Sequence, residues 1–178
     1  MAAGQLYKDG LYHFTKEKKH MSVDELNIWY DNLLQSYPIR SIEDPFDQEE
    51  WNDWTAFTKK HPTLQTVADD LVATNERRLH RAMREHAANT LLIKPSHIGT
   101  LTETIHAARL AQETGWKTII AQRGAETEDV TIAHLAVGLK AGQIKAGSVA
   151  RGERTAKYNE LLRISESLKS DLLAPMWR

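Results

Sequence analysis

Residues 90–94 read TLLIK, an apolar run too short for a helix that ends on a charged side chain. Four other stretches have the same form: PIRSIE (38–43), LQTVAD (64–69), KTIIAQ (117–122) followed by Arg123, and GQIK (142–145). Each has the length of a buried strand bounded by turn or helical sequence. The closing residues Glu43, Asp69, Lys94, Arg123 and Lys145 lie 26, 25, 29 and 22 positions apart. That interval holds one strand, one helix and two short loops. In barrels of alternating strands and helices, the strand carboxyl ends share one mouth, where catalytic groups sit. The five residues are therefore expected along one wall of an active site.

The sequence between these runs carries helix signals. Ser22 with Glu25 forms a capping box before a stripe of Leu26, Ile28, Trp29, Leu33 and Leu34, and Pro38 stops that helix. Asp47 with Glu50 is expected to cap a helix bearing Trp51, Trp54 and Phe57, and Asn75 opens a third through Leu79, Ala82 and Met83. Thr100 with Glu103 starts a fourth, striped by Leu101, Ile105, Ala108 and Ala111 and ended by Gly115. Two more carry Val130, Ile132, Ala133 and Leu135, and then Tyr158, Leu161, Leu162, Ile164 and Leu168. Strands between helices, with no hairpin signal, imply parallel pairing and right-handed crossovers.

The expected fold is α/β: a partial (β/α) barrel of TIM type with about five parallel strands and six helices. A closed barrel needs about 250 residues, so these 178 do not close one alone. The chain reads as one domain. Residues 1–20, polar with a turn at Lys8-Asp9-Gly10, form an irregular N-terminal segment; 21–170 form the partial barrel and 171–178 a C-terminal tail.

The net charge of −1 leaves no electrostatic footprint for nucleic acid or an anionic membrane. The basic clusters at 16–20 and 76–85 are flanked by acids and read as solvated surface. Without cysteine there are neither disulfides nor thiolate metal sites. No secretory signal or membrane-length apolar stretch is present, so a cytoplasmic location is expected.

Glu43 and Asp69 at neighbouring strand ends suit Mg²⁺, a hard cation that takes one or two carboxylates plus water and substrate oxygens. Two carboxylates alone make a weak site, and Asp44 and Asp70 adjoin them, so which acid binds stays open. Lys94 and Lys145 suit proton abstraction beside a carboxylate, one lysine acting as base while Mg²⁺ holds the enediolate. Arg123, followed by Gly124, suits a bidentate grip on phosphate or carboxylate. Each of these residues taken singly also fits a solvated surface. The five tryptophans read as core or subunit-contact residues, and the histidines show no metal-ligand spacing. Nucleophile-elbow, P-loop and zinc-protease patterns are absent from the sequence.

SIEDPFDQEEW (41–51), VADDLVATN (67–75), LLIKPSHIGTLTETIHAARLAQETGW (91–116), ETEDVTIA (126–133), GQIKAG (142–147) and RGERTAKYNELLRI (151–164) follow one another in a pattern that resembles enolase. The likeness covers nearly the whole chain and is similar to the second half of the family's catalytic barrel. It implies dehydration of 2-phosphoglycerate to phosphoenolpyruvate with Mg²⁺. By matching motif, Glu43 and Asp69 resemble metal ligands, Lys94 the base for the α-proton, Lys145 the holder of the substrate carboxylate, and Arg123 the phosphate-binding arginine. The family's Ser-His-Arg-Ser stretch reads Ala121-Gln122-Arg123-Gly124, which replaces a substrate-side histidine and a phosphate-binding serine. Gln122 remains a substrate-side residue. Val-Asn-Gln after the base lysine reads Pro95-Ser96-His97. The family's third metal aspartate would fall just before Met1, and its general acid lies in an earlier region.

The resemblance thus implies an enolase-like protein without catalytic activity, retained for binding or assembly, whose Mg²⁺ is weakly held or absent. Another protein chain or self-association is expected to cover the open barrel edges. The alternatives are an enolase-type lyase completed by a missing N-terminal half, and altered α-proton chemistry on another acid.

Overall fold

A computed structural model describes residues 2–169; Trp177 and the expected tail at 171–178 lie outside the described residues. The chain falls into two compact units, Met1–Thr90 and Leu91–Arg178.

The first unit opens on a 3-10 turn, Ala3–Leu6, and three antiparallel strands, β1 (Tyr7–Lys8), β2 (Leu11–Phe14) and β3 (Lys19–Met21), in the order β1-β2-β3. The segment expected to be irregular is therefore a small meander. Lys8 pairs with Leu11, and the two intervening residues, Asp9 and Gly10, have φ of 51° and 81°. Asp-Gly at positive φ is the sequence chemistry of a tight hairpin. The surrounding lysines masked the alternation that goes with it.

Helix α1 (Val23–Ser36) begins at the expected capping box: Glu25 N donates to Ser22 Oγ (3.3 Å) and Ser22 N donates to Glu25 Oε2 (2.8 Å). It buries Leu26 and Tyr30 but leaves Ile28 exposed, a narrower face than the sequence stripe. Strand β4 (Ser41–Glu43), helix α2 (Trp51–Lys60), strand β5 (Gln65–Ala68) and helix α3 (Glu76–Arg84) follow. Asp47 does not cap α2. Its Oδ1 accepts from Glu49 N (2.9 Å), while Asp47 N donates to Tyr12 Oη (3.0 Å) and Trp54 Nε1 donates to Asp47 O (3.0 Å). Those non-local bonds fix the peptide one turn too early for capping. Tyr30, Phe46 and Phe57 make mutual edge contacts with ring centroids 5.4 to 5.9 Å apart, and Trp54 meets Phe46 at 6.5 Å. Aromatic edge packing of this kind adds to the large apolar area each ring buries.

β4 and β5 are parallel, with Ile42 opposite Thr66 and Glu43 opposite Val67. Every residue of β5 is buried. Its entry is held by one side chain: Asn89 Oδ1 accepts from Thr66 N (3.0 Å), and Asn89 Nδ2 donates to Leu64 O (2.7 Å). Asn89 thus satisfies two main-chain groups that would otherwise be buried without partners.

The second unit begins within β6 (Thr90–Ile93) and contains α4 (Pro95–Ile98), α5 (Leu101–Glu113), β7 (Lys117–Ala121), α6 (Thr131–Gly138), β8 (Gly142–Lys145) and α7 (Gly152–Leu168). β6, β7 and β8 are ordered as in the chain, and β7 pairs parallel with β8. The seventh helix among the described residues is α4, a single turn started by Pro95, where the fixed proline φ favours a first helical position. Helix α5 buries Ala108 and Ala111 of the expected stripe together with Thr104 and Ala107, while Ile105 is half-buried and Leu101 exposed. In α7 the apolar residues do not form a core face: Leu162 and Leu168 are exposed, and the buried residue is Lys157.

The fold class is α/β of the (β/α)-barrel type, with five parallel strands where a closed barrel has eight. Among the described residues, no helix is long and apolar enough to cross a membrane.

Asn89→Ala should destabilise the protein by about 2 kcal/mol, because it orphans Thr66 N–H and Leu64 C=O together. A drop in the urea midpoint with unchanged slope would register this; an unchanged midpoint would show that water replaces the bracket.

Candidate functional site

Strand β4 delivers Glu43, and the chain then turns at Asp44, whose φ of 45° lies in the left-handed region. Asp and Asn tolerate this conformation better than most residues with a Cβ. Asp44 N still donates to Val67 O (3.1 Å), extending the β4–β5 ladder by one bond. The turn sends the Asp44 carboxylate back across the end of β5. There Oδ1 accepts from Asp69 N (3.0 Å) and Asp70 N (3.2 Å), and Oδ2 accepts from Asp70 N (3.1 Å).

This bracket brings Asp69 beside Glu43: the carboxylates of Glu43, Asp44 and Asp69 offer oxygens within 4.8 Å of one another. Asp44 and Asp69 are buried and Glu43 is half-buried. Burial pushes the Asp44 carboxyl up to about 7, against the pull of the Asp70 and Asp69 N–H groups and helped by the two neighbouring acids. An all-oxygen set of this density fits a hard divalent cation such as Mg²⁺. Because Asp44 spends its lone pairs on the main chain, Glu43 and Asp69 are the residues that would hold the ion. Asp70 is exposed.

The second unit carries the cations. Lys94, half-buried, directly follows β6 as the extended residue before α4, and its carbonyl accepts from His97 N (2.9 Å). Ala121 stands opposite Lys145 in the β7–β8 ladder, and Gln122 N donates to Lys145 O (3.1 Å). Gln122, Arg123 and Lys145 are therefore grouped at the ends of two adjacent strands, with Arg123 and Lys145 exposed. Gln122 Oε1 is buried without a hydrogen-bond partner among the described residues. Gly124 faces open space: a Cβ built there meets nothing within 4 Å.

Residues 1–173 match the family model described as "Enolase, C-terminal TIM barrel domain". This chain belongs to the enolase family. It is 46% identical over 168 residues to Enolase 2 of Methanospirillum hungatei JF-1, an alignment covering 94% of this chain and 39% of that protein. The chain thus spans about two fifths of the length of the curated relative it matches.

The structure places the two acids of the enolase-like pattern together in the first unit and gathers Gln122, Arg123 and Lys145 in the second. Two further residues emerge only from the coordinates. Asp44 was visible in the sequence as one of several adjacent acids, but its role as bracket depends on a left-handed turn and a partner strand far along the chain. Lys157, nearly fully buried, had no sequence signal, since a lysine in TAKYNE (155–160) reads as surface.

Two outcomes follow for the acid cluster. Between about pH 4 and pH 7 the folded chain retains a proton on Asp44 that the unfolded chain has released, so without metal stability should fall as pH rises across that window. The ceiling for this single group is on the order of 4 kcal/mol. Urea unfolding in EDTA at several pH values should show the slope, and Asp44→Asn, which suits positive φ and keeps an acceptor oxygen, should flatten it. Separately, millimolar Mg²⁺ at pH 7.5 should raise the melting temperature of the wild type and leave that of a Glu43→Gln, Asp69→Asn double variant unmoved.

Proposed function

We propose that this chain is an enolase-family protein that binds Mg²⁺ weakly and a phosphorylated acid without dehydrating 2-phosphoglycerate, and that it is retained for binding or assembly. The observation that carries this reading is the composition of the β7 end. Gln122 stands where the family pattern has histidine, so the proton-carrying and cationic imidazole is lost. Gly124 stands where the pattern has serine, and the space it leaves is open. Each lost bond to a charged phosphate is worth roughly 1.5–3 kcal/mol, and together they disable a transition state more than they prevent binding. Gln122 Oε1, buried and unpartnered, favours a ligand that donates a hydrogen bond, such as a hydroxyl, over one that presents only phosphate oxygens.

What remains suits recognition. Arg123 holds a phosphate, Lys145 a carboxylate, and Lys94 keeps the position of the family's base. Mg²⁺, when bound at Glu43 and Asp69, would supply positive charge at the strand ends of the first unit. Among the described residues β4 is hydrogen-bonded to β5 alone and β8 to β7 alone, and β8 is exposed or half-exposed along its length. Unpaired strand edges invite another chain, so a protein partner or a second copy belongs to this reading. A cysteine-free chain with no membrane-spanning helix among its described residues suits the cytoplasm.

The retained lysines and acids favour a second reading, an enolase-type lyase in glycolysis that works once the family's remaining portion is supplied. Phosphoenolpyruvate formation from 2-phosphoglycerate and Mg²⁺ separates the two. The chain alone, and the chain mixed with the amino-terminal portion of Methanospirillum hungatei Enolase 2, should both stay at background. The same mixture with Gln122→His and Gly124→Ser should gain rate, since the open space at 124 accepts a serine. Turnover at an ordinary enzyme rate by the unaltered chain in either arm would establish the lyase reading. Native mass measurement should find a particle heavier than one chain; a monomer would remove the assembly part.

A further inference from the structure

Helix α7 buries one residue, and it is a lysine. Lys157 is 1% exposed, its Nζ donating to the Thr127 carbonyl and to Glu153 O (2.6 Å). Enclosing an amine of this kind is costly unless its donors are satisfied. Here one of its acceptors is a loop carbonyl 30 residues away. That loop, 122–130, starts at the β7 end and carries Gln122, Arg123 and Gly124.

A second contact ties the same loop to the same helix. The Glu128 carboxylate lies against Gly152, the first residue of α7, so closely that a Cβ there would stand 2.3 Å from Glu128 Oε1. An acid at a helix amino end is favoured by the helix dipole. Between these tethers the loop closes on itself: Asp129 N donates to Thr127 Oγ1 (3.2 Å), and Thr131 N donates to Asp129 Oδ1 (2.8 Å). At its other end Gln122 N is fixed to Lys145 O. Arg123 therefore projects from a segment anchored on the strand ladder behind it and on α7 ahead of it.

We infer that Lys157 is a positioning residue: through Thr127 it fixes the backbone from which Arg123 engages the phosphate of a phosphorylated acid. The inference rests on the reading of Arg123 as the anion-holding group. It makes α7 part of the binding apparatus.

The test uses 2-phosphoglycerate as probe, titrated calorimetrically with Mg²⁺ present, alongside hydrogen exchange of amides 123–130. Lys157→Met keeps the length and removes the donor. It should weaken 2-phosphoglycerate binding at least tenfold and speed exchange in 123–130, while Mg²⁺ stabilisation through Glu43 and Asp69 stays within twofold. Lys157→Arg, which keeps a donor, should recover most of the affinity. Gly152→Ala, which pushes Glu128 off the helix end, should give a smaller loss in the same direction, and it carries the test if Lys157→Met fails to fold. Arg123→Ala is the control for the underlying reading. If Arg123→Ala lowers affinity while folded Lys157→Met, or Gly152→Ala in its place, leaves affinity and exchange at wild-type values, the positioning role is overturned and the reading of Arg123 stands. If wild type and Arg123→Ala bind the probe equally, or neither binds it, the reading itself fails and the role of Lys157 fails with it.

Discussion

The first unit depends on a carboxylate turned back on the main chain. Asp44 adopts a backbone conformation unfavourable for most residues and buries its acid. In return it collects the N–H groups of Asp69 and Asp70, which as the first peptides beyond β5 would otherwise lack ladder partners. The cost and the gain belong to one structure. Without the left-handed turn the side chain would follow the strand direction away from β5, and without the N–H groups a buried acid would have nothing to offset desolvation. Glu43 and Asp69 inherit their separation from this arrangement, so the spacing of the candidate metal ligands is set by a third acid that does not need to touch the ion.

The second unit ties its loops and a helix end through side-chain donors on main-chain carbonyls: Lys157 to Thr127, Tyr158 to Gly147 and Gln112 to Leu139 (2.8 Å). The first unit uses donors of the same kind, Asn89 on Leu64 O (2.7 Å) and Tyr30 on Pro45 O (2.8 Å), and adds the Asp44 carboxyl, which accepts from the peptides just beyond β5. In both units side chains satisfy main-chain groups where no ladder bond is available.

This explains what was legible in the sequence. The strands and their polar closing residues follow from apolar runs of strand length, and Glu43, Asp69, Lys94, Arg123 and Lys145 all lie at or just beyond strand ends as the runs imply. Local capping was legible too, because Ser22 with Glu25 and Asn75 with Arg78 act over three residues. The failures share a cause. Asp47 does not cap α2 because Tyr12 and Trp54 hold its peptide from 35 and 7 positions away. The 7–21 meander was hidden by charged residues on a short, half-exposed alternation. Lys157 is buried by a loop carbonyl that its own neighbours in sequence do not announce. Contacts made by side chains to distant peptides leave no periodic trace.

The same division bears on which positions at the β7 end can change without disturbing the fold. At the β7 end the ladder bond is made by the Gln122 peptide, not its side chain, and Gly124 touches nothing that a larger residue would disturb. A change at Gly124 leaves the surrounding packing untouched, whereas the side-chain oxygen at Gln122 is buried. The bracket at Asp44 and the tether at Lys157 are the reverse case, buried and bonded to main chain, so altering them would cost stability as well as alignment. Stability therefore depends on the frame of the site and places little restraint on Gly124. Gln122 and Gly124, with Ala121, are the positions at which this chain departs from the family pattern beside Arg123.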